Sequence, residues 1–371
     1  MCITKKIEKK ETITMKKALK ILGLSLLSLV LLATLGFVGV FFKEIRTLTT
    51  FEKLNDHPFY EMTYYADYGL DEFLESGAAT DDELVNFVTR KLLRGVSFEI
   101  DPDGACSTFI ATTPEDDNLF GRNFDYVPSI GLIVKTAPEN GYKSISVVNL
   151  NHLGLNQENL PTKNILNRII TLAAPYAPLD GMNEKGLAIG VLVINEGIVH
   201  QATGKVPITT TSAIRMILDK AATVEEAIAL LEQYDMNSSG DTGYHFQIAD
   251  ANGNTAVVEY INDEMHVLSK EEGHIAATNF VLYDNMNLGS GQDRYEAIMK
   301  KQEETGGIMT EEEALELLLS IPSQGIRVIE GLNDTIPSDT QWSCVYNLDE
   351  LSLQICTGRD KERIYHYTVN E

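Results

Sequence analysis

The chain is predicted to be an α+β protein, with antiparallel sheets layered with helices, carried behind one N-terminal transmembrane helix. Three observations predict this. Residues 21–42 form an uncharged run rich in Leu, Val and Phe, about 22 residues and so long enough to cross a bilayer as a helix. Further on, strand-like segments give way to helical spacing and then return, an order that favours antiparallel sheet over a βαβ repeat. The 371 residues are 44% hydrophobic, enough for a large core and too apolar for a disordered chain.

Lysines 5, 6, 9, 10, 16, 17 and 20 precede the apolar run, and only Lys43 and Arg46 follow it closely. The positive-inside bias therefore puts residues 1–20 in the cytoplasm as a basic tail and residues 21–42 across the cell membrane as a single-pass signal anchor. The large domain then lies outside. A secreted protein, cleaved from a signal peptide that starts at Met15, is the alternative; the run is long for that and no Ala-x-Ala site closes it. Residues 1–50 hold nine Lys/Arg and three Asp/Glu, leaving 21 and 51 beyond, a formal net charge of about −30. Such a surface repels nucleic acid and keeps an exported domain soluble. Four cysteines are too few for a disulfide scaffold. Cys344 and Cys356 flank a turn, and a bridge or two buried thiols are both open.

Residues 43–105 read as a helical, propeptide-like segment, with Thr80 as N-cap for the helix that begins at Asp81 and a stop at Gly95. From residue 106 to 371 the texture changes. Ser107–Thr112, Asn118–Phe124, Gly131–Lys135, Ser144–Leu150 and Ala188–Asn195 are short, β-branched or aromatic-rich, and separated by Pro, Asp, Asn or Gly. Asp180 to Leu187 reads as a Gly-bounded turn. Ser212–Ala221 and Val224–Tyr234 have helical spacing. A meander follows, Tyr244–Asp250, Thr255–Ile261 and Met265–Leu268, with Asn252-Gly253 and Asn262-Asp263 as its turns. Helices at Arg294–Glu304 and Glu311–Leu319 and a hairpin of Gln341–Asn347 with Leu351–Thr357 complete the chain.

One constellation carries chemistry. Gly104-Ala105-Cys106-Ser107-Thr108 opens a β-like run that returns through a turn to Gly121-Arg122-Asn123-Phe124-Asp125. Ala277-Thr278-Asn279-Phe280 and Gly291-Gln292-Asp293-Arg294-Tyr295 follow, and Asp180-Gly181-Met182-Asn183-Glu184-Lys185-Gly186 lies between. In this order the motifs resemble the cysteine Ntn (N-terminal nucleophile) hydrolases, close to the choloylglycine hydrolases, penicillin V acylases and acid-ceramidase-like amidases. The resemblance runs from Cys106 to about Thr357. It implies a four-layer αββα sandwich of antiparallel sheets.

A thiol with an ordinary pKa of about 8.5 is a poor nucleophile at neutral pH. In the Ntn design its base is the α-amine of the same residue, which requires cleavage between Ala105 and Cys106. By resemblance, Arg122 stabilises the thiolate, Asp125 binds the freed amine, Asn279 donates to the oxyanion and Arg294 supports the site as a second guanidinium. On their own, Arg122 and Asp125 read equally as a surface turn with an incidental ion pair. Bile-salt enzymes carry a further asparagine where this chain has Val193; Asn195, two residues on, faces the same side of a strand and is the candidate substrate-binding substitute.

The expected reaction is hydrolysis of a linear amide in a small N-acyl substrate, with no metal or organic cofactor. An acyltransferase using the same thioester and a catalytically inactive surface binding module are the alternatives. The seven histidines include no His-x-x-x-His pair, and there is no phosphate loop or Gly-x-Ser-x-Gly elbow. A papain-like pair of Cys106 with His245 or His274 stays open. The partners expected are the substrate and the membrane, with a homo-oligomer neither required nor excluded.

Overall fold

The computed structural model describes residues 2–96, 104–194, 196–269, 275–329 and 334–370. Its first helix, Cys2–Val40, contains the stretch Leu19–Val40, which is long and apolar enough to span a bilayer by length and composition. A short second helix, Phe42–Thr49, leads into the folded part.

Two sheets pack face to face. One has nine strands and begins at its edge with Glu52–Asn55 and Phe59–Tyr64, continues through Gly131–Thr136, Ser144–Asn149, Pro178–Asn183 and Ala188–Val193, and ends in the predicted meander. The other runs from Ala276–Ala277 through Ala105–Thr112, Asn118–Tyr126 and Asp334–Asn347 to Ser352–Thr357 and Ile364–Thr368, with Gly325–Ile329 alongside. Helix Thr210–Lys220 lies on the nine-stranded sheet, and helices Gln292–Thr305 and Glu311–Ser320 lie on the other. The inner core includes Phe120, Phe124, Ile189, Trp342 and Tyr346; a second cluster, with Phe109, Ile298, Leu318 and Cys356, fills the space beneath the last two helices. The alternation of the strands feeds both cores.

The segment before the cysteine departs from the helical expectation. Helix Asp81–Val88 is present and Thr80 caps it, accepting from Glu83 N at 3.2 Å. Upstream, however, Phe59–Tyr64 is a strand that pairs in parallel with Gly131–Thr136, an exception in an otherwise antiparallel sheet. Its alternation Phe59, Tyr60, Met62, Tyr64 includes three β-favouring aromatics, and sheet pairing decides the conformation. Gly131 permits the contact: a Cβ there would lie 2.1 Å from the Phe59 ring.

Asp180 is also not in a turn. Pro178–Asn183 is a wholly buried strand, and the chain reverses only at 184–187. Asp and Gly are poor strand formers, but here Asp180 finds a buried cation. The two downstream cysteines are free and cannot meet. Cys344 pairs with Ile355, while Cys356 pairs with Ser343; they are one residue out of register and so face opposite sides of the sheet.

Candidate active site

Strand Ala105–Thr112 sets the geometry. It pairs antiparallel with Asn118–Tyr126, placing Cys106 opposite Phe124, Thr108 opposite Arg122 and Ala105 opposite Asp125. Paired residues share a face and alternate ones swap, so Cys106, Arg122 and Phe124 look into the space between the sheets. Asp125 and Ser107 look toward Arg294 in helix Gln292–Thr305, and Asn123, on the same face, donates to Leu318 O of helix Glu311–Ser320. Gly104, just before this strand, is buried, and a Cβ on it would lie 2.9 Å from Phe124 Cε2. A residue with a side chain would push the chain away.

On the inner face, the Arg122 guanidinium is fully buried beside the thiol. Its Nε lies 3.4 Å from Asp180 Oδ2 and its Nη1 donates to Asn123 O at 2.8 Å. Asp180 also accepts from the Tyr346 hydroxyl and sits 3.5 Å from Trp342 Nε1. Burial pushes the Asp180 carboxyl up, and Arg122 with the hydroxyl and indole donors opposes it. Burial likewise pushes the Cys106 thiol above its ordinary range, opposed first by the charge and hydrogen bond of Arg122. The thiol, whose residue is 2% exposed, therefore needs a base in the intact chain. Trp342 stacks on Phe124 with ring centroids 4.3 Å apart and fixes the wall behind the sulfur.

On the outer face, Arg294 reaches in from the first turn of its helix. Its Nη1 donates to Cys106 O and to Ser107 Oγ, both at 2.6 Å, and lies 3.4 Å from Asp125 Oδ2; its Nη2 donates to Asn279 Oδ1 at 2.7 Å. Gly291 makes room for it: at φ +90° it adopts a conformation other residues avoid, and a Cβ there would lie 2.5 Å from Arg294 Nη2. Asp125 accepts from Thr340 Oγ1. A bulge at Gln341 brings Thr340 opposite Asp125. Burial pushes the Asp125 carboxyl up to about 6, against the pull of Arg294, Thr340 and the Ser323 backbone N–H.

Asn279 meets the backbone of Cys106. Its Oδ1 accepts from Cys106 N at 2.8 Å and its Nδ2 donates to Val193 O at 2.6 Å. The orientation is fixed chemically, since a guanidinium and a backbone N–H can only donate to Oδ1. One Nδ2 hydrogen is thus bonded to the Val193 carbonyl, the amide carries a second, and Oδ1 accepts from the α-nitrogen of Cys106.

The structure brings Cys106, Arg122, Asp125, Asn279 and Arg294 together, and the incidental Arg122–Asp125 ion pair of the surface-turn alternative is not formed. Arg122 pairs with Asp180 rather than Asp125, because residues three apart on a strand point to opposite faces. Asp125 pairs with Arg294 instead. Tyr346 and Thr340 enter the site through sheet register, with no local motif to announce them, and Asp180 enters as the first residue of the 180–186 run. Asn195 and His274 lie outside the described residues. His245 does not serve Cys106: its ring nitrogens contact Glu259 Oε1 at 2.8 Å and Thr278 O at 2.7 Å. Among the described residues, no group of three His, Cys, Asp or Glu is arranged to hold a metal ion.

The family profile described as "Linear amide C-N hydrolases, choloylglycine hydrolase family" matches residues 106–320, beginning at the cysteine. Two crystal structures of conjugated bile acid hydrolase variants from Clostridium perfringens are similar in fold. They show 16% and 17% identity with TM-scores of 0.52 and 0.51, each alignment covering 71% of this chain and 92% and 93% of theirs. No curated protein matches the sequence.

Proposed function

Because the chain belongs to the choloylglycine hydrolase family and is a linear amide C-N hydrolase, we propose that Cys106 is its nucleophile and that cleavage of the Ala105–Cys106 bond activates it. The observation that carries this reading is that three separate groups meet the one residue: Arg122 beside the sulfur, Asn279 at the nitrogen and Arg294 at the carbonyl. A structural cysteine requires none of them.

In maturation the thiol attacks the Ala105 carbonyl carbon. The C–N bond to Cys106 breaks, its nitrogen takes a proton, and the Ala105 acyl group rests on sulfur as a thioester. Water hydrolyses that thioester to the Ala105 carboxylate and a free Cys106 thiol. The new α-amine, with an ordinary pKa of about 8, is a base suited to neutral pH. In turnover it takes the thiol proton, sulfur attacks the amide carbonyl of the substrate, and the amine returns the proton to the departing nitrogen. Water then releases the acyl group. Arg122 favours the thiolate, Asn279 and Asp125 orient the α-nitrogen, and Arg294 locks Asn279, Asp125 and the Cys106 carbonyl into one hydrogen-bonded unit.

The substrate class is a small N-acyl amide. The αββα layering of an Ntn hydrolase accommodates this chemistry, with residues 106–371 as the amidase unit and 43–105 as the segment cut from it. Residues 1–20 form a cytoplasmic tail and 21–42 a membrane anchor, so catalysis takes place outside the cell. The apolar stretch and the lysines before it support that placement.

Intact mass and N-terminal sequencing of the purified protein beside Cys106→Ala test the reading. A new terminus at Cys106 in the native chain and none in the variant is expected. Active native protein with residues 105 and 106 still joined would overturn it.

A further inference from the structure

His245 and Glu259 are buried polar residues that the mechanism leaves unused. They stand opposite each other on strands Tyr244–Ala249 and Thr255–Ile261, wholly buried. His245 Nδ1 faces the Glu259 carboxylate and Nε2 faces the Thr278 carbonyl. One ring nitrogen thus faces a carboxylate and the other a backbone carbonyl, both of them acceptors. Glu259 extends the hold: Oε1 accepts from Leu282 N at 2.9 Å and Oε2 from Tyr283 N at 2.8 Å. Burial pushes the Glu259 carboxyl up, but His245 and these two N–H groups outweigh it and keep it below its usual range.

The clamped backbone is the stretch that carries Asn279. Thr278 is fixed at its carbonyl, Leu282 and Tyr283 at their N–H groups, and Asn279 lies between them with Oδ1 on the Cys106 nitrogen. Thr278 Oγ1 also donates to Gly291 O at 3.0 Å, tying the same stretch to the start of the Arg294 helix. Regular sheet pairing gives this stretch little support, since among the described residues strand Asn279–Phe280 pairs with the two-residue strand Gly289–Ser290 alone.

We propose that His245 and Glu259 are positioning residues: a buried histidine–carboxylate strap that sets the Thr278–Tyr283 stretch so that Asn279 meets the α-nitrogen of Cys106. The assignment rests on Cys106 being the nucleophile. Its chemistry separates donor function from packing, because a glutamine at 245 keeps an N–H that reaches the Thr278 carbonyl, whereas a leucine fills similar space and donates nothing.

The full chain is made by cell-free synthesis with detergent, and the half-time of self-cleavage is followed by intact mass in native protein, His245→Gln, His245→Leu, Glu259→Gln and Cys106→Ala. Melting temperatures are measured on the same samples. Expected is a loss of about 10–100-fold in cleavage rate for His245→Leu, assayed well below its melting temperature, with His245→Gln restoring most of it. Should His245→Leu fail to fold, Glu259→Gln supplies the same contrast, since its amide turns an N–H toward the Tyr283 N–H and the same loss is expected. The strap is overturned if the Leu or Glu259→Gln protein cleaves at the native rate, or if Gln and Leu fall equally in step with their melting temperatures. Cleavage at residue 106 in Cys106→Ala would overturn the nucleophile assignment, and the strap with it, whatever the His245 series shows.

Discussion

Strand Asn118–Tyr126, which pairs with the strand of Cys106, gives one member to an Arg–Asp pair on each of its faces, and the two pairs lie beside different atoms of Cys106. Arg122 and Asp180 lie inside, between the sheets, with the thiol; Arg294 and Asp125 lie outside, against the helix, with the backbone carbonyl and nitrogen. Both pairs are separated by 3.4 Å. The inner pair joins strands of two different sheets and is sealed by Tyr346 and Trp342, so its charges are fixed by packing. The outer pair is closed by a helix start and a bulge, which can be rearranged with less disturbance of the core. The difference teaches that a single strand can separate electrostatic control of a side chain from control of its own backbone, through the alternation of its residues.

The severest way to break the comparison is to remove the atom between the pairs. Cys106→Ala is expected to lower amide turnover by about a thousandfold or more and to abolish the new N-terminus, measured on matched protein concentrations. Next comes the inner pair. Arg122→Met leaves Asp180 buried without its cation, and a loss of about 3–5 kcal/mol in unfolding free energy is expected by denaturant titration. Adding Asp180→Leu is expected to recover most of that stability and none of the turnover, which would separate the structural role of the pair from its effect on sulfur.

A smaller effect is expected from the segment before the cysteine, whose Phe59 meets Trp342 edge-on at 5.8 Å. Phe59→Ala is expected to cost about 3 kcal/mol in the same titration and to slow cleavage, because the wall behind the thiol loosens. Unchanged cleavage would show that the inner face is organised without that segment.

The outer pair is best sharpened by pH. Asp125 has a carboxyl pushed up to about 6, above the ordinary value of about 3.9 in an unfolded chain. Its contribution to stability is therefore present below about pH 4 and is lost as pH rises through about 6. Activity runs the other way, since only the ionised carboxylate attracts an α-ammonium. An acid limb in kcat/KM near pH 6 is expected, and Asp125→Asn is expected to flatten it while lowering the plateau about tenfold. Thr340→Val, which removes one donor to that carboxylate, is expected to shift the limb upward by less than about one pH unit. A limb that stays in place in both variants would assign it to another group.

Much of this arrangement is legible in the amino-acid sequence. The meander, the two late helices and the closing hairpin fall where turn chemistry and spacing put them, because Asn-Gly turns and amphipathic repeats are local signals. Cys106, Arg122, Asp125, Asn279 and Arg294 form one cluster as expected. Their pairing is also within reach of strand periodicity: residues 122 and 125 differ by an odd number on a strand, so they cannot share a face. Asp180 is legible as the head of the 180–186 run but not as a strand residue paired with Arg122, since an Asp-Gly step argues for a turn and its cation lies on the opposite sheet. Phe59–Tyr64 lacks a visible partner in the sequence because its ladder lies about seventy residues away, along Gly131–Thr136. Sequence separation conceals such pairs more than composition does.

The parallel ladder has a consequence for what a cut can release. Hydrolysis of the 105–106 bond severs one covalent thread, yet Phe59–Tyr64 stays hydrogen-bonded along Gly131–Thr136 while Phe59, Tyr60, Phe73 and Leu84 stay buried in the shared core. The two products would behave as a light and a heavy subunit of a single folded body, and the heavy one would remain moored to whatever holds the first forty residues. Maturation of this kind changes the chemistry at one nitrogen without changing the address of the enzyme.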